Sequence, residues 1–196
     1  MIKKKNKVIA LTGGIGSGKS TALEIIKNAG FNTVSSDQIV SELYQKNSIK
    51  RKLKRLFPDA VFGKFFLSID KKKIAERVFF NKDAHKRLTD LITPIVFKEI
   101  FKRAKRVRGT LFAEVPLLFE CNNADAFDSV VVIVRSKSQR VNAVKERSNL
   151  SEEEILARME NQIDYDNADF SKYVVIENDG DFDALKNKIE EYLKTV

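Results

Sequence analysis

Eight consecutive residues, Gly13-Gly14-Ile15-Gly16-Ser17-Gly18-Lys19-Ser20, constrain this chain more than any other stretch. They meet every fixed position of the pattern G-x-x-x-x-G-K-[ST], a P-loop. The flanks agree with it. Lys7 to Leu11 is a short β-branched and apolar run that reads as a strand. Behind the loop, Leu23, Ile26 and Ala29 recur at helical spacing, with Gly30 as the stop. Phosphate oxygens must be met by several backbone N–H groups at close range, and glycine lets the chain bend around them. The helix opening behind Gly18 points its positive end at the anion. Lys19 can then reach the β- and γ-phosphates, and Ser20 offers a hydroxyl to Mg²⁺.

Further along, Phe31 to Val34 is a plausible second strand, and strand–helix–strand at this spacing predicts a parallel sheet. From about residue 39 to residue 105 the apolar residues recur mostly at helical intervals. Pro94 is expected to break that region, with Thr93 capping a new helix. Thr110 to Val115 and Ser129 to Val134 read as strands, the second apolar enough to be buried on both faces. Ser151-Glu152-Glu153-Glu154 is a capping-box pattern. Tyr173 to Ile176 reads as a last strand and Asp181 to Leu193 as a closing helix.

Composition narrows the class. With 196 residues, 43% hydrophobic and 32% charged, the chain suits one folded domain with a small insertion. Its longest apolar run, Val130 to Val134, falls far short of the roughly 20 residues that span a bilayer, so no membrane partner is expected. Met1 to Lys5 resembles the charged start of a signal peptide, but the apolar run behind it is short and enters the glycine loop. Cys121 is the only cysteine, so no internal disulfide can form and a cytoplasmic setting is expected. The net charge of +9 fits solvated helix faces or attraction of polyanionic substrates. Neither zinc-finger spacing nor an RNA-binding aromatic signature occurs, so nucleic acid is not expected as a partner. A guanine-specific Asn-Lys-x-Asp is also missing: Asn81-Lys82-Asp83 lacks the spacer, and Asn187-Lys188-Ile189-Glu190 ends in the wrong acid. A kinase of small molecules remains.

Several segments together resemble the dephospho-CoA kinases. Leu11 to Thr21 looks like that family's opening. Asp37-Gln38-Ile39 falls where it has Asp-x-Asp, and Arg77-Val78-Phe79 resembles the stretch before its His-Pro element. Val115-Pro116-Leu117-Leu118-Phe119-Glu120 is close to its Val-Pro-Leu-Leu-Phe-Glu. Arg147, Leu150 to Glu154, Arg158 and Gln162 resemble its lid, and Asn178-Asp179-Gly180 resembles its Asn-x-Gly turn. Two positions depart from the family: Ser35-Ser36-Asp37 keeps only the second acid, and Thr93-Pro94 replaces His-Pro.

The resemblance implies an α/β P-loop kinase fold, with five parallel strands and helices on both faces. It also implies a helical acceptor-binding insertion at about residues 40–98 and a lid at about 138–165. The implied reaction moves the γ-phosphoryl of ATP to the 3′-hydroxyl of dephospho-CoA, with Mg²⁺ as cofactor. ATP would be held by Gly14, Ile15, Gly16, Ser17, Gly18, Lys19, Ser20 and Thr21, with Asn178 and Gly180 at the adenine; the rival reading of that pair is a plain turn. Asp37 is the candidate general base, at the carboxyl edge of a strand beside the P-loop strand; it could equally cap the Gln38–Tyr44 helix. Glu114 could hold Mg²⁺ with Ser20, or be an ordinary strand-end acid. Arg140 and Arg147 are candidate phosphate ligands, since guanidinium forks suit phosphate; surface arginines are otherwise simply solvated. Pro116, Leu117 and Leu118 could shape the acceptor pocket or merely pack.

Overall fold

The computed structural model describes residues 6–64, 66–148 and 150–196, and of Phe80 the backbone only. The basic start at residues 1–5 lies outside the described residues. The chain divides into two compact units, one of residues 1–35 with 101–196 and one of residues 36–100.

The first unit begins with β1 (Lys7–Thr12), α1 (Lys19–Asn28) and β2 (Asn32–Ser35). The chain re-enters it near the end of a long helix and continues through β-strands and helices to the C-terminus. All five strands of the sheet run parallel. Val8, Ala10 and the alternate Ile9 and Leu11 are all buried, as a central strand covered on both faces requires. One face packs Ile9, Leu11, Phe112, Val131, Ile133 and Ile176 against Ala22, Ile25 and Ile26 of α1 and against Leu185 and Ile189. The inner face of α1 is Ala22, Ile25 and Ile26, with Leu23 packed partly against it; of the predicted Leu23, Ile26 and Ala29, only Ala29 falls outside. The helix ends at Asn28, which leaves Ala29 as an exposed cap.

The second unit holds α2 (Ser36–Leu43), α3 (Asn47–Leu56), a hairpin of β3 (Val61–Phe62) and β4 (Ser68–Ile69), α4 (Lys71–Phe80) and most of α5 (Lys82–Ala104). The region is mostly helical, as expected, and adds one hairpin: β3 and β4 pair antiparallel, in strands too short for an alternating pattern to register. One expectation is corrected here. Pro94 does not break the helix, because α5 runs through it for 23 residues. Proline removes the bond to the carbonyl of residue 90. Asp90 is exposed, so water can take that carbonyl, while Ile92, Val96 and Ile100 are buried and hold the helix in place. This unit carries 15 Lys and Arg against 8 Asp and Glu, hence +7 of the chain's +9.

The remaining elements of the first unit are β5 (Thr110–Glu114), β6 (Ser129–Val134), α6 (Lys137–Arg147), α7 (Glu152–Glu160), β7 (Val174–Glu177) and α8 (Phe182–Leu193). The strand order is β2-β5-β1-β6-β7. The connections run to one side of β1 and then to the other, so the order reverses at β1, where open α/β sheets place their ligands. The capping box at the start of α7 is present, Ser151 and Glu154 each taking the other's backbone N–H.

Candidate active site

The P-loop leaves β1 at Thr12 and closes into α1 at Lys19. Its turn is drawn in by Ser17 N–H donating to the Gly14 carbonyl at 3.1 Å. Gly16 has φ 79°, and a Cβ there would fall 2.4 Å from the backbone oxygen of Arg140, so only glycine fits. Lys19 is buried and donates through Nζ to the carbonyls of Gly13 and Gly14, at 2.8 and 2.9 Å. These bonds lay the ammonium along the loop, where phosphate oxygens would meet it. The Ser17 hydroxyl is buried without a hydrogen-bond partner.

Beside Lys19, Ser20 Oγ donates to Glu114 Oε1 at 2.9 Å. Sheet register sets this contact. Leu11 of β1 and Ser35 of β2 both stand opposite Glu114, so the acid lies level with the carboxyl end of the P-loop strand. Glu114 itself is buried. Two oxygen ligands of this kind suit Mg²⁺, which binds one or two protein groups and fills the rest of its shell with water and substrate phosphates. Among the described residues no group of three or more His, Cys, Asp or Glu could hold a metal alone.

Helix α6 meets the loop from the other side. Arg140 is only 3% exposed. Its guanidinium lies against Gly14, where a Cβ would fall 2.5 Å from Nη1, and Nη2 donates to Asp166 at 2.6 Å. Its Nε is buried and unpartnered. A cavity of about 390 Å³ opens here, lined by Lys137, Arg140, Gln162, Tyr165 and Asp166 among others. Glu120 approaches the same region. One carboxylate oxygen accepts from Ile163 N–H at 2.9 Å, and the other is buried without a partner. Burial pushes its carboxyl above the usual range, against the weaker opposing pull of hydrogen-bonding backbone N–H groups and of the Lys19 charge. Burial likewise raises the Tyr165 phenol, which stands 3.5 Å from the Thr12 hydroxyl.

A second groove of about 380 Å³ runs from Gly16 and Gly18 past Thr21, Arg135, Arg147 and Gly180 to Phe182. Asn178 forms its floor. The Asn178 side chain donates to the Ser17 carbonyl at 2.8 Å, and its own N–H donates to the Val134 carbonyl at 2.8 Å.

Residues 7–184 match the dephospho-CoA kinase family. The chain belongs to that family. A dephospho-CoA kinase of Fusobacterium nucleatum subsp. nucleatum is 30% identical over 192 residues, covering 96% of this chain and 98% of its own length. Among solved structures, a protein of Thermus thermophilus aligns at TM-score 0.82 with 30% identity, covering 98% of this chain and 99% of that one. The dephospho-CoA kinase from Campylobacter jejuni aligns at TM-score 0.64 with 25% identity, covering 98% of each chain. The five parallel strands with their helices are the P-loop kinase fold, and membership makes the chain an ATP-dependent kinase. Among the described residues no helix is long and apolar enough to cross a membrane.

Within this kinase fold the candidate residues separate. Lys19, Ser20 and Glu114 converge at the carboxyl edge of β1 and β5. Arg140 and Arg147 share one helix but serve different cavities, the first beside Gly14 and the second in the groove beside Gly180. Leu118 is fully buried, so its side chain packs in the interior rather than lining a pocket; Pro116 and Leu117 are partly exposed. Asp37 is exposed in the first turn of α2, which starts at Ser36, so Asp37 is not the helix cap. Several residues here carried no role in the sequence reading. Gln162 and Glu120 were only parts of family motifs. Phe182, 58% exposed in the groove, was not singled out from the closing helix.

Proposed function

We propose that this chain transfers the γ-phosphoryl group of ATP to the 3′-hydroxyl of dephospho-CoA, giving CoA and ADP. The observation that carries this reading is the pairing of Ser20 with Glu114 beside the loop-bound Lys19, in a chain that matches the family over nearly its whole length.

The P-loop amides hold the phosphates, and Lys19 keeps its charge against the β- and γ-phosphate oxygens as the transition state forms. Arg140 Nε, buried and unpartnered, donates to the transferring group. Arg147 holds phosphate from the groove side. Adenine occupies that groove, with Phe182 offering an aromatic face and Asn178 and Gly180 its edge. Ser20 and Glu114 would hold magnesium, which when bound neutralises phosphate charge.

On the acceptor side, Asp37 accepts the proton of the 3′-hydroxyl as its oxygen bonds to the γ-phosphorus and the bond to ADP breaks. It follows Ser35, the last residue of β2, by two positions in the chain. Unit 36–100 binds the acceptor. Residues 138–165 act as the lid, and the lone Cys121 fits a cytoplasmic setting. Incubation of the purified protein with ATP, Mg²⁺ and dephospho-CoA, followed by chromatography, tests the assignment. CoA and ADP should form in equal amounts. No CoA, with phosphorylation of a nucleoside monophosphate instead, would overturn it.

A further inference from the structure

Ile15 occupies a position that the P-loop motif leaves open, and two contacts tie it to the α6–α7 pair. Its side chain packs against the cluster of Val141, Val144 and Ile155, where Leu156 and Met159 also pack. Its N–H donates to Gln162 Oε1 at 2.7 Å. The next residue, Ile163, is pinned in turn through its N–H to Glu120. A P-loop residue is thus held by the turn that follows α7 through its backbone and by the core of the helix pair through its side chain.

We propose that Gln162 is a positioning residue for phosphoryl transfer, acting through Ile15 as a two-point clasp between the P-loop and the lid helices. The proposal rests on the kinase reading above. Apolar packing is non-directional, so the cluster alone leaves α6 free to slide along the loop. The Gln162 hydrogen bond has one geometry and sets the register. Register matters because the backbone and guanidinium of Arg140 lie against Gly16 and Gly14 with no space for a single added carbon. A lid that slips moves Arg140 away from the transferring group and lets water reach it.

The test compares wild type, Gln162→Ala and Gln162→Glu, with CoA and ADP measured in the same reactions and the melting temperature as a check of folding. Gln162→Glu keeps an acceptor opposite Ile15 N–H, whereas Gln162→Ala removes it. Gln162→Ala should lower kcat by up to about 10²-fold, the order expected for a misplacement of about 1 Å. It should change KM for ATP by less than about threefold, since phosphate binding and lid register are separate events. ADP formed per CoA should rise well above one, and the Ile15 amide should lose hydrogen-exchange protection. Gln162→Glu should restore both that ratio and the protection. A folded Gln162→Ala variant with wild-type kcat and ratio, or two variants that uncouple equally, would overturn the clasp. A wild-type protein that makes no CoA would instead overturn the kinase reading.

Discussion

Asn178 is best probed by two substitutions that separate a brace for the loop from a ligand for the nucleotide. The side chain is buried and donates to the Ser17 carbonyl at 2.8 Å, and a Cβ at Gly18 would fall 2.4 Å from its Nδ2. Asn178→Ala leaves that carbonyl without its donor inside the fold, which costs about 1–3 kcal/mol. For a chain of this length each kcal/mol lowers Tm by about 2–4 °C, so a fall of roughly 2–12 °C is expected. Asn178→Asp is nearly isosteric but sets a carboxylate against a carbonyl oxygen. It should be worse than alanine at pH 8 and better at pH 5, because only the protonated acid can donate. The introduced carboxyl has a raised folded pKa, so its stabilising bond is present at low pH and lost as pH rises through that value. Scanning calorimetry across pH, with ATP titrations of each variant, is the assay. An unchanged Tm accompanied by a large loss of ATP affinity would refute the brace and leave contact with the adenine as the sole role of Asn178.

Three further outcomes are expected. Lys19→Ala should lose several orders of magnitude in kcat while remaining folded, measured as CoA formed per enzyme; retention of more than a tenth of the rate would contradict its role at the phosphates. Asp37→Asn should lower kcat by about 10²–10⁴-fold with ATP affinity nearly unchanged. Since Asp37 is exposed and does not cap α2, Tm should hold steady, and full turnover in the folded variant would remove it as the base. Glu120→Gln should stabilise the protein at neutral pH, because burial holds the native carboxyl above its ordinary value of 4.5. The folded state binds that proton more tightly than the unfolded state, so wild type loses stability as pH rises from 4.5 through the raised value. The Tm gap between variant and wild type should therefore open with rising pH and close below 4.5, and a gap that is constant with pH would refute the burial argument.

Much of the first unit was legible because its signals are local. β6 is one apolar run, the Ser151–Glu154 box spans four residues, and the P-loop motif states its own backbone geometry. The break at Pro94 was misread because local rules cannot see burial. The flanking Ile92, Val96 and Ile100 outweigh one lost hydrogen bond at the exposed residue Asp90. The β3–β4 hairpin escaped because two-residue strands leave no alternation to detect. In the candidate site, Lys19 and Ser20 could be named from the motif. The contact between Gln162 and Ile15 joins residues 147 positions apart, and the contact between Asn178 and Ser17 joins residues 161 apart. Neither pair leaves a periodic or spacing signal in the chain. Arg140 and Arg147 looked equivalent in sequence because seven residues is two helical turns, yet one is buried against the loop and the other is exposed.

The charge of residues 36–100 bears on how fast a substrate arrives rather than on how it reacts. A unit of 65 residues holding +7 attracts any polyanion approaching it, so encounter rates exceed those of a neutral surface. That attraction reaches about 30 Å in 0.01 M salt but only about 8 Å at physiological ionic strength. Capture of an anion by this unit is therefore quickest in dilute buffer and slows as salt is added. The same surface draws in free nucleotides and other phosphorylated metabolites, so in a crowded solution it concentrates competitors along with the substrate.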